Sequence, residues 1–247
     1  MYESFARCFR TIGEGGESAR IEERDGLLAS IVPAAPERSV FNSVIYEEPK
    51  ALEGALDELA GAYEDAGVLA WTVWVPESDR VSAALVKAAG HRLDASPRAM
   101  ELELAELADP EPGDLDWSDR GSPESLMRIN DAAYGYERGT FARGLGSPPE
   151  GAYELYEARL DGEVASVLGT MDHGRDCGVY WVATLPGARG GGLAGRLLHL
   201  AVAAARDRGC RTSTLQSSGA GFSVYSRLGY RETGTLEMWE RRLGSAG

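Results

Sequence analysis

The chain has 247 residues, 43% of them hydrophobic, which is enough for one large domain or two modest ones with real cores. Its net charge of −14 argues against a nucleic-acid partner and is compatible with a cationic substrate such as an amine. The three cysteines and three histidines lack metal-site spacing, so we expect no metal. Without a signal-peptide pattern or an apolar stretch of about 20 residues, we expect a cytoplasmic protein with no membrane partner.

Two stretches of the chain show the same order of predicted elements. In the first, Asp25-Gly26 closes a hairpin, and a strand, a helix, a strand and a helix follow at residues 39–45, 51–66, 69–75 and 81–89. In the second, Asp161-Gly162 closes a hairpin, and the same elements follow at residues 179–184, 192–208, 212–216 and 222–228. A Gly-aromatic-Arg triplet ends each stretch, beginning at Gly90 and at Gly229. This order indicates two copies of one α+β unit.

A break between the copies is predicted at residues 108–122, where the sequence Asp-Pro-Glu-Pro-Gly-Asp occurs. We therefore divide the chain into residues 1–108 and 109–247. The copies differ after the strand that precedes the long helix. Residues 185–192 are rich in glycine, whereas residues 46–53 have no glycine and carry three glutamates that would repel a pyrophosphate. Only the C-terminal copy is expected to bind a phosphorylated cofactor.

Residues 179–194 form the most informative stretch of the chain. They predict a strand, a turn containing Gly190, Gly191 and Gly192, and the start of a helix. The first N–H groups of a helix have no intrahelical partner and the helix dipole favours negative charge there, so this segment predicts an anion site.

Two nucleotide-binding motifs fit this segment poorly. Gly190, Gly192 and Gly195 satisfy a dinucleotide-binding Gly-x-Gly-x-x-Gly pattern, but the next strand ends in Leu215-Gln216 without the required acidic residue. A P-loop needs Gly-Lys-Ser/Thr, whereas Arg196 and Leu197 follow Gly195. A different phosphorylated cofactor is indicated.

Two motifs together resemble the GNAT superfamily of acyl-CoA-dependent N-acyltransferases. The first is Arg189-Gly-Gly-Gly192-Leu-Ala194, which is similar to the family's Arg/Gln-x-x-Gly-x-Gly/Ala cofactor motif. The second is Tyr225-Ser-Arg-Leu-Gly229-Tyr230, which is similar to its Tyr-x-x-x-Gly-Phe signature. The resemblance covers residues 122–242, and the N-terminal half resembles the degenerate copy of tandem GNAT proteins. It implies an α+β fold of two tandem GNAT-like mixed-sheet units, the C-terminal one cofactor-competent.

The resemblance implies an acetyl-CoA site in the C-terminal unit. The fourth strand of that unit would splay from the fifth, and pantetheine would pair with the backbone of Val182 and Thr184. The pyrophosphate would lie on the N–H groups of residues 190–194, and the Arg189 side chain would add a charge-assisted bond. The cofactor-binding residues it implies are Val182, Ala183, Thr184, Arg189, Gly190, Gly191, Gly192, Leu193, Ala194 and Ser218, the last standing where the family commonly has Asn.

By the same resemblance, Tyr225 is the acid that protonates the leaving thiolate. The predicted fourth strand carries no acid or histidine, so the general base is left open among Asp172, His173, Glu154, Glu237 and a water chain. His199 is expected to be a packing residue. Tyr180 and Trp181 are adjacent in a strand and are expected to point to opposite faces.

The function that follows is N-acetyl transfer from acetyl-CoA to a small-molecule or peptidyl amine by direct attack in a ternary complex. The alternative left open is a non-catalytic acyl-CoA-binding or regulatory module. Two packed copies would form a pseudo-dimer, so both a monomer and a homodimer are compatible with the sequence.

Overall fold

The computed structural model describes residues 2–16 and 18–244. The N-terminal half contains, in chain order, α1 (Tyr2–Gly15), β1 (Arg20–Arg24), β2 (Leu27–Ile31), β3 (Ser43–Tyr46), α2 (Pro49–Glu53), α3 (Leu56–Asp65), β4 (Ala70–Pro76), α4 (Arg80–Ala88), β5 (Arg92–Ala95) and β6 (Arg98–Glu103). The C-terminal half contains β7 (Trp117–Ser118), α5 (Pro123–Tyr134), α6 (Thr140–Leu145), β8 (Glu154–Leu160), β9 (Glu163–His173), β10 (Asp176–Thr184), α7 (Leu193–Asp207), β11 (Thr212–Ser217), α8 (Phe222–Leu228) and β12 (Arg231–Arg242).

The strands of the described part of the chain form one mixed sheet, in the order β1-β2-β3-β4-β12-β6-β11-β10-β9-β8-β7, with β5 pairing with β12. The pairs β3–β4 and β10–β11 are parallel. The two predicted hairpins are confirmed: Asp25-Gly26 joins β1 to β2, and Asp161-Gly162 joins β8 to β9. Asp161 and Gly162 both have positive φ, at 54° and 82°, as a two-residue turn between twisted strands requires.

The sequence misplaced two elements of the N-terminal half. The predicted strand at residues 39–45 is wrong in its first part, because only Ser43–Tyr46 is extended. The side chain of Asn42 holds the preceding turn by accepting from the Val32 N–H at 2.7 Å and donating to the Ala35 carbonyl at 3.0 Å. The predicted helix at residues 51–66 is two helices, α2 and α3, which are separated at Gly54.

The two halves end their last helix in the same way. In the first half, Gly90 has φ 90° and the His91 N–H donates to the Val86 carbonyl. In the second half, Gly229 has φ 103° and the Tyr230 N–H donates to the Tyr225 carbonyl. The left-handed conformation favours glycine, and α4 and α8 therefore end with the same main-chain hydrogen bond at equivalent places in the two halves.

The last strands of the two halves are exchanged. In β12, residues 231–235 pair with β6 and residues 236–242 pair with β4. In return, β6 inserts between β12 and β11. The predicted division into residues 1–108 and 109–247 crosses these pairings, because β6 lies in the first part and its partners β11 and β12 in the second. Each half therefore completes the sheet of the other.

Helices cover both faces of this sheet. In the C-terminal half, α7 packs on one face over Leu168, Val179 and Leu215. On the other face α1 and α5 pack together over Val167 and Tyr180. The helix α1 belongs to the N-terminal half in sequence, and it lies against β1 and β2 of that half as well as against β9 and β10 of the other. Within residues 2–16 and 18–244, no helix has both the length and the apolar character needed to cross a membrane.

Candidate functional site

A gap opens in the sheet between β10 and β11. The two strands pair in parallel only from Asp176–Thr212 to Gly178–Thr214, and beyond these residues they separate. On its other edge β10 pairs with β9, and the register of that pairing shifts between Tyr180 and Ala183. Such a bulge bends a strand and increases its twist, so it turns the end of β10 away from β11. The predicted splaying of these strands is present.

Trp181 lies at the bulge and has φ 57°, a conformation that costs a tryptophan free energy. The side chain of Asn130 in α5 donates to the Trp181 carbonyl at 3.1 Å and to the Leu126 carbonyl at 2.9 Å. Asn130 is fully buried. We predicted neither the hydrogen bond from Asn130 nor the left-handed conformation of Trp181. The sequence does contain a signal, because Asn130 is a polar residue on the same helical face as Leu126 and Ile129.

The expectation that Tyr180 and Trp181 point to opposite faces is wrong. Both side chains pack in the same apolar cluster, the one beneath α1 and α5. The alternation of side chains holds for a regular strand, and the left-handed residue at the bulge breaks it. The Tyr180 hydroxyl donates to the Ser4 carbonyl at 2.9 Å and thereby attaches α1 to β10.

The backbone of Val182 and Thr184 faces the gap. The Leu185 N–H donates to the Ala165 carbonyl of β9 at 2.9 Å. Because successive residues of a strand direct their N–H and C=O groups to opposite edges, those of Thr184 and Val182 point away from β9 and toward β11. The Thr184 carbonyl has this orientation, because it accepts a hydrogen bond from Arg189 Nε at 3.2 Å and not from β9.

The loop after β10 exposes backbone N–H groups beside this gap. Gly190 and Gly192 have φ 87° and 77°, and a Cβ at either position would meet nothing within 4 Å. Gly192 is the N-cap of α7 and makes no side-chain capping bond, so the first N–H groups of the helix are free of protein partners there. The loop is shaped like a cradle for an anion.

The side chain of Arg189 lies along the wall of the loop. Its Nη2 donates to the Ala133 carbonyl at 2.8 Å, at the end of α5, and its Nε donates to Thr184. Arginine favours the carbonyl end of a helix because of the helix dipole. The guanidinium thus connects the loop, β10 and α5, and it lines the same cavity as the glycines.

One cavity of about 1110 Å³ contains nearly all of the predicted site. Every predicted cofactor-binding residue except Gly191 lines it, and so does Tyr225. The cavity extends from the glycine loop through the gap to a region bordered by Phe5, Phe9 and Trp74 of the N-terminal half, which we did not predict.

Tyr225 lies in α8 on the wall of the cavity and is 9% exposed. Burial, followed by the nearby Tyr134, raises the pKa of the Tyr225 hydroxyl, so the group keeps its proton at neutral pH. Its ring contacts that of Tyr230, with centroids 6.1 Å apart. Ser218 follows β11, and its Oγ accepts from the Gly221 N–H at 3.3 Å, so it shapes the turn that leads into α8.

The candidate bases lie elsewhere. Among the described residues that line the cavity there is no Asp or Glu, and Asp172, His173, Glu154 and Glu237 are all outside it. Asp172 is paired with Arg208 at 2.7 Å, and Glu237 accepts from Trp239 Nε1 at 2.8 Å. His199 does line the cavity, and its Nε2 is 2.7 Å from the Ala108 carbonyl.

The geometry of strand, loop and tyrosine agrees with a comparison of sequences. The family model of the acetyltransferase (GNAT) domain matches residues 151–232, from just before β8 to the start of β12. These residues form a GNAT domain. The resemblance seen in the cofactor loop and in the Tyr225 signature is thus confirmed. No protein of curated function matches the chain significantly.

Solved GNAT structures resemble most or all of the chain. A GCN5-related N-acetyltransferase from Kribbella flavida is 19% identical over 98% of this chain and 96% of its own, with a TM-score of 0.69. One from Sphaerobacter thermophilus is 18% identical over 88% and 80%, with a TM-score of 0.61. A tandem GNAT protein from the clavulanic acid biosynthesis pathway is 12% identical over 100% and 97%, with a TM-score of 0.58. These likenesses establish the fold, and the predicted α+β fold with a mixed sheet is confirmed.

At the place in the N-terminal half that corresponds to the GNAT cofactor gap, a side-chain hydrogen bond joins the end of β3 to the residue before α4. The strands β3 and β4 pair in parallel at two positions, Ser43–Thr72 and Val44–Val73. The hydroxyl of Tyr46, at the end of β3, then donates to Asp79 Oδ2 at 2.7 Å. When Gly90 is aligned with Gly229, Val86 aligns with Tyr225, and Val86 is a buried aliphatic residue. This half therefore has neither the glycine loop nor the tyrosine.

Proposed function

We propose that the chain transfers an acetyl group from acetyl-CoA to a primary amine of a small-molecule or peptidyl acceptor. The observation that carries the proposal is the gap between β10 and β11, which opens directly beside the exposed N–H groups of the glycine loop. A long ligand with a phosphate at one end and an extended, amide-containing arm fits this combination, because the loop binds the anion and the strand edges bind the amides.

The fit of the loop rests on its bare backbone. With Gly190 and Gly192 in left-handed conformations and no Cβ, the N–H groups of residues 190–194 bind the pyrophosphate. Arg189 adds positive charge beside it, although its donors already reach two main-chain carbonyls. Val182 and Thr184 offer backbone groups to the amide-containing arm of the ligand, and Ala183 lies between them in β10. Ser218, which follows β11, borders the arm on the other side.

Bound acetyl-CoA supplies the thioester, whose carbonyl carbon bonds to the amine nitrogen while the carbon–sulfur bond breaks. One N–H on the gap edge of β10 polarises the carbonyl, and a donor placed in this way is typically worth ~3 kcal/mol. Tyr225 gives its proton to the departing sulfur, which is consistent with a hydroxyl that burial keeps protonated. No carboxylate among the described residues lines the cavity, so the proton lost by the amine passes to water, and Tyr225 regains a proton from water.

We further propose that the N-terminal half is a degenerate GNAT copy and that each chain has a single acyl-CoA site. The hydrogen bond from Tyr46 to Asp79 at the equivalent place supports this, as do Glu47 and Glu48 in place of the glycine loop. The strand exchange supports a monomer built as a pseudo-dimer. A cytoplasmic location is part of this proposal and rests on the three buried free thiols, Cys8, Cys177 and Cys210.

The test is a titration of the chain with acetyl-CoA, followed by an assay of thiol release with a panel of amines. The proposal predicts one bound acetyl-CoA per chain and thiol release that depends on the amine. Tight binding with no release for any amine would instead favour an acyl-CoA-binding module, and no binding would contradict both.

A further inference from the structure

The cavity has an aromatic region at the end away from the glycine loop. Phe5 and Phe9 of α1 and Trp74 of β4 border it. The ring centroids of Phe5 and Phe9 are 4.7 Å apart, and those of Phe5 and Trp74 are 4.8 Å apart with the two rings nearly perpendicular. Trp74 Nε1 donates to Ser43 Oγ at 3.0 Å, so the indole offers its carbon surface to the cavity. Met238, which lies opposite Trp74 in the sheet, completes this surface.

This aromatic pocket lies on the face of the sheet where an acceptor has to bind. The glycine loop continues into α7, and α7 and Tyr225 pack in the cluster on one face of the sheet. Phe5, Phe9 and Trp74 pack in the cluster on the other face. A thioester bound in the gap has the nucleotide end of its cofactor on one face of the sheet. An acceptor approaches the thioester from the other face. The N-terminal half supplies the acceptor side.

The cavity is poor in acidic side chains, unlike the chain as a whole. The chain has a net charge of −14, yet the described residues that line the cavity include Arg189, Arg196 and Arg227 and no carboxylate. A molecule with several ammonium groups would lose hydration in an apolar pocket without gaining a counter-charge, which is costly.

An amine that enters this pocket has to be neutral to react, and the cavity offers no strong base. Burial raises the pKa of the Cys8 thiol to about 12, so the thiol stays protonated. Tyr180 is bonded to Ser4 on α1, and His199 Nε2 contacts the Ala108 carbonyl. The pocket itself favours the neutral amine, because transfer to an apolar environment lowers the pKa of an ammonium group. An apolar pocket can favour the neutral form of a molecule with one amine and an apolar body. It cannot do so for a molecule with several amines, because each would have to lose its charge.

We propose that the acceptor is an aromatic ring that carries one primary amine, bound with its ring against Phe5, Phe9 and Trp74. The inference rests on the proposed acetyl transfer and specifies its substrate class. The ammonium group loses one proton to water to become a neutral amine. Its nitrogen then bonds to the thioester carbon, loses a second proton to water, and the carbon–sulfur bond breaks. The departing thiolate takes a proton from Tyr225, which regains one from water. Polyamines and aminoglycosides are poor acceptors.

The experiment compares 2-phenylethylamine, hexylamine, 1,4-diaminobutane and kanamycin as acceptors for the wild-type chain at saturating acetyl-CoA. We expect kcat/KM for 2-phenylethylamine to exceed those for diaminobutane and kanamycin by about 100-fold, and that for hexylamine to be intermediate. Equal or better use of diaminobutane or kanamycin would overturn the inference and leave the acetyl transfer standing. Binding of acetyl-CoA without acetylation of any of the four amines would overturn both.

A variant tests whether the ring contact matters. Phe5→Leu keeps an apolar side chain and removes the ring, so kcat/KM for 2-phenylethylamine should fall about 5-fold relative to that for hexylamine. The ratio of two substrates on the same variant is insensitive to a fraction of unfolded protein. An unchanged ratio would show that the phenyl ring does not bind at Phe5 and would contradict the assignment of the pocket.

Discussion

The side-chain amide of Asn130 donates to the carbonyl of Trp181 across 3.1 Å, at the residue where β10 bends away from β11. Asn130 is fully buried, and its Oδ1 has no hydrogen-bond partner among the described residues. An unpartnered buried amide oxygen costs stability. Trp181 adds a further cost through its φ of 57°. Both costs occur at the bulge that separates β10 from β11, so we infer that the gap between these strands is maintained at the expense of stability.

Asn130→Ala should weaken acetyl-CoA binding about 10-fold, because the Trp181 carbonyl loses its donor and the bulge relaxes. The effect on the free energy of unfolding should be modest, about 1–2 kcal/mol. Isothermal titration gives the first quantity and chemical denaturation the second. Arg128→Ala, at an exposed position of the same helix, is the control and should change neither. Loss of stability with unaltered affinity would mean that Asn130 serves packing alone.

Tyr225→Phe should lower kcat by about 10²-fold and leave the affinity for acetyl-CoA nearly unchanged, because only a proton donor is removed. The matched control is Tyr230→Phe in the neighbouring ring. The Tyr230 hydroxyl contacts Ser213 Oγ at 2.6 Å, away from the cavity, so this variant should lose stability and retain kcat. Steady-state thiol release measures both variants. Equal kcat values for them would remove Tyr225 from the proposed chemistry.

Gly192→Ala should weaken acetyl-CoA binding and also cost about 1–2 kcal/mol of stability, because its φ is 77°. Gly151→Ala separates the two effects. Gly151 has φ 75°, has open space where a Cβ would be, and is outside the cavity. The two variants should be equally destabilised, and only Gly192→Ala should bind acetyl-CoA more weakly. If Gly151→Ala reduces affinity as much, the loop is not the binding site.

His91 should make the fold sensitive to acid. Burial lowers the pKa of its imidazole from 6.5 to about 4, the ring meets Trp71 edge-on at 4.4 Å, and its Nδ1 donates to the Val86 carbonyl. Between pH 6.5 and 4 the unfolded chain therefore binds a proton that the folded chain does not. The stability this residue contributes is fully present above pH 6.5 and is lost as the pH falls toward 4.

The expected loss from His91 between pH 7 and pH 4.5 is about 2 kcal/mol, since one pKa unit corresponds to about 1.4 kcal/mol. Denaturation at the two pH values, in the wild type and in His91→Gln, measures it. The wild type should lose more stability than the variant, because the carboxylates titrate equally in both. The same loss in both proteins would mean that His91 titrates normally when folded.

The features that the sequence predicted well are local ones. The glycine loop, the hairpin turns and α8 each depend on residues that are near one another in the chain, such as Asp161 and Gly162 with their positive φ values. The sequence showed similar helix ends in the two halves, and Gly90 and Gly229 do end α4 and α8 in the same conformation. Residues of this kind have a limited choice of backbone conformation, so the sequence alone restricts the structure.

The features that the sequence could not reveal depend on pairing between distant segments. Nothing local in residues 231–242 distinguishes a strand that pairs within its own half from one that pairs with β4 and β6. The prediction of the sheet face on which Trp181 lies was wrong, because the alternation of side chains along a strand assumes a regular backbone. The aromatic pocket was missed because Phe5 and Trp74 are far apart in the chain and reach the cavity only after the halves pack.

The most direct test of the central claim is a crystal structure of the chain with CoA bound. We predict one CoA per chain, with its pantetheine arm between the backbone of residues 182–184 and β11, and its pyrophosphate on the N–H groups of residues 190–194. The sulfur should lie within hydrogen-bonding distance of the Tyr225 hydroxyl. CoA bound at the N-terminal half near Tyr46, or outside the gap between β10 and β11, would contradict the account.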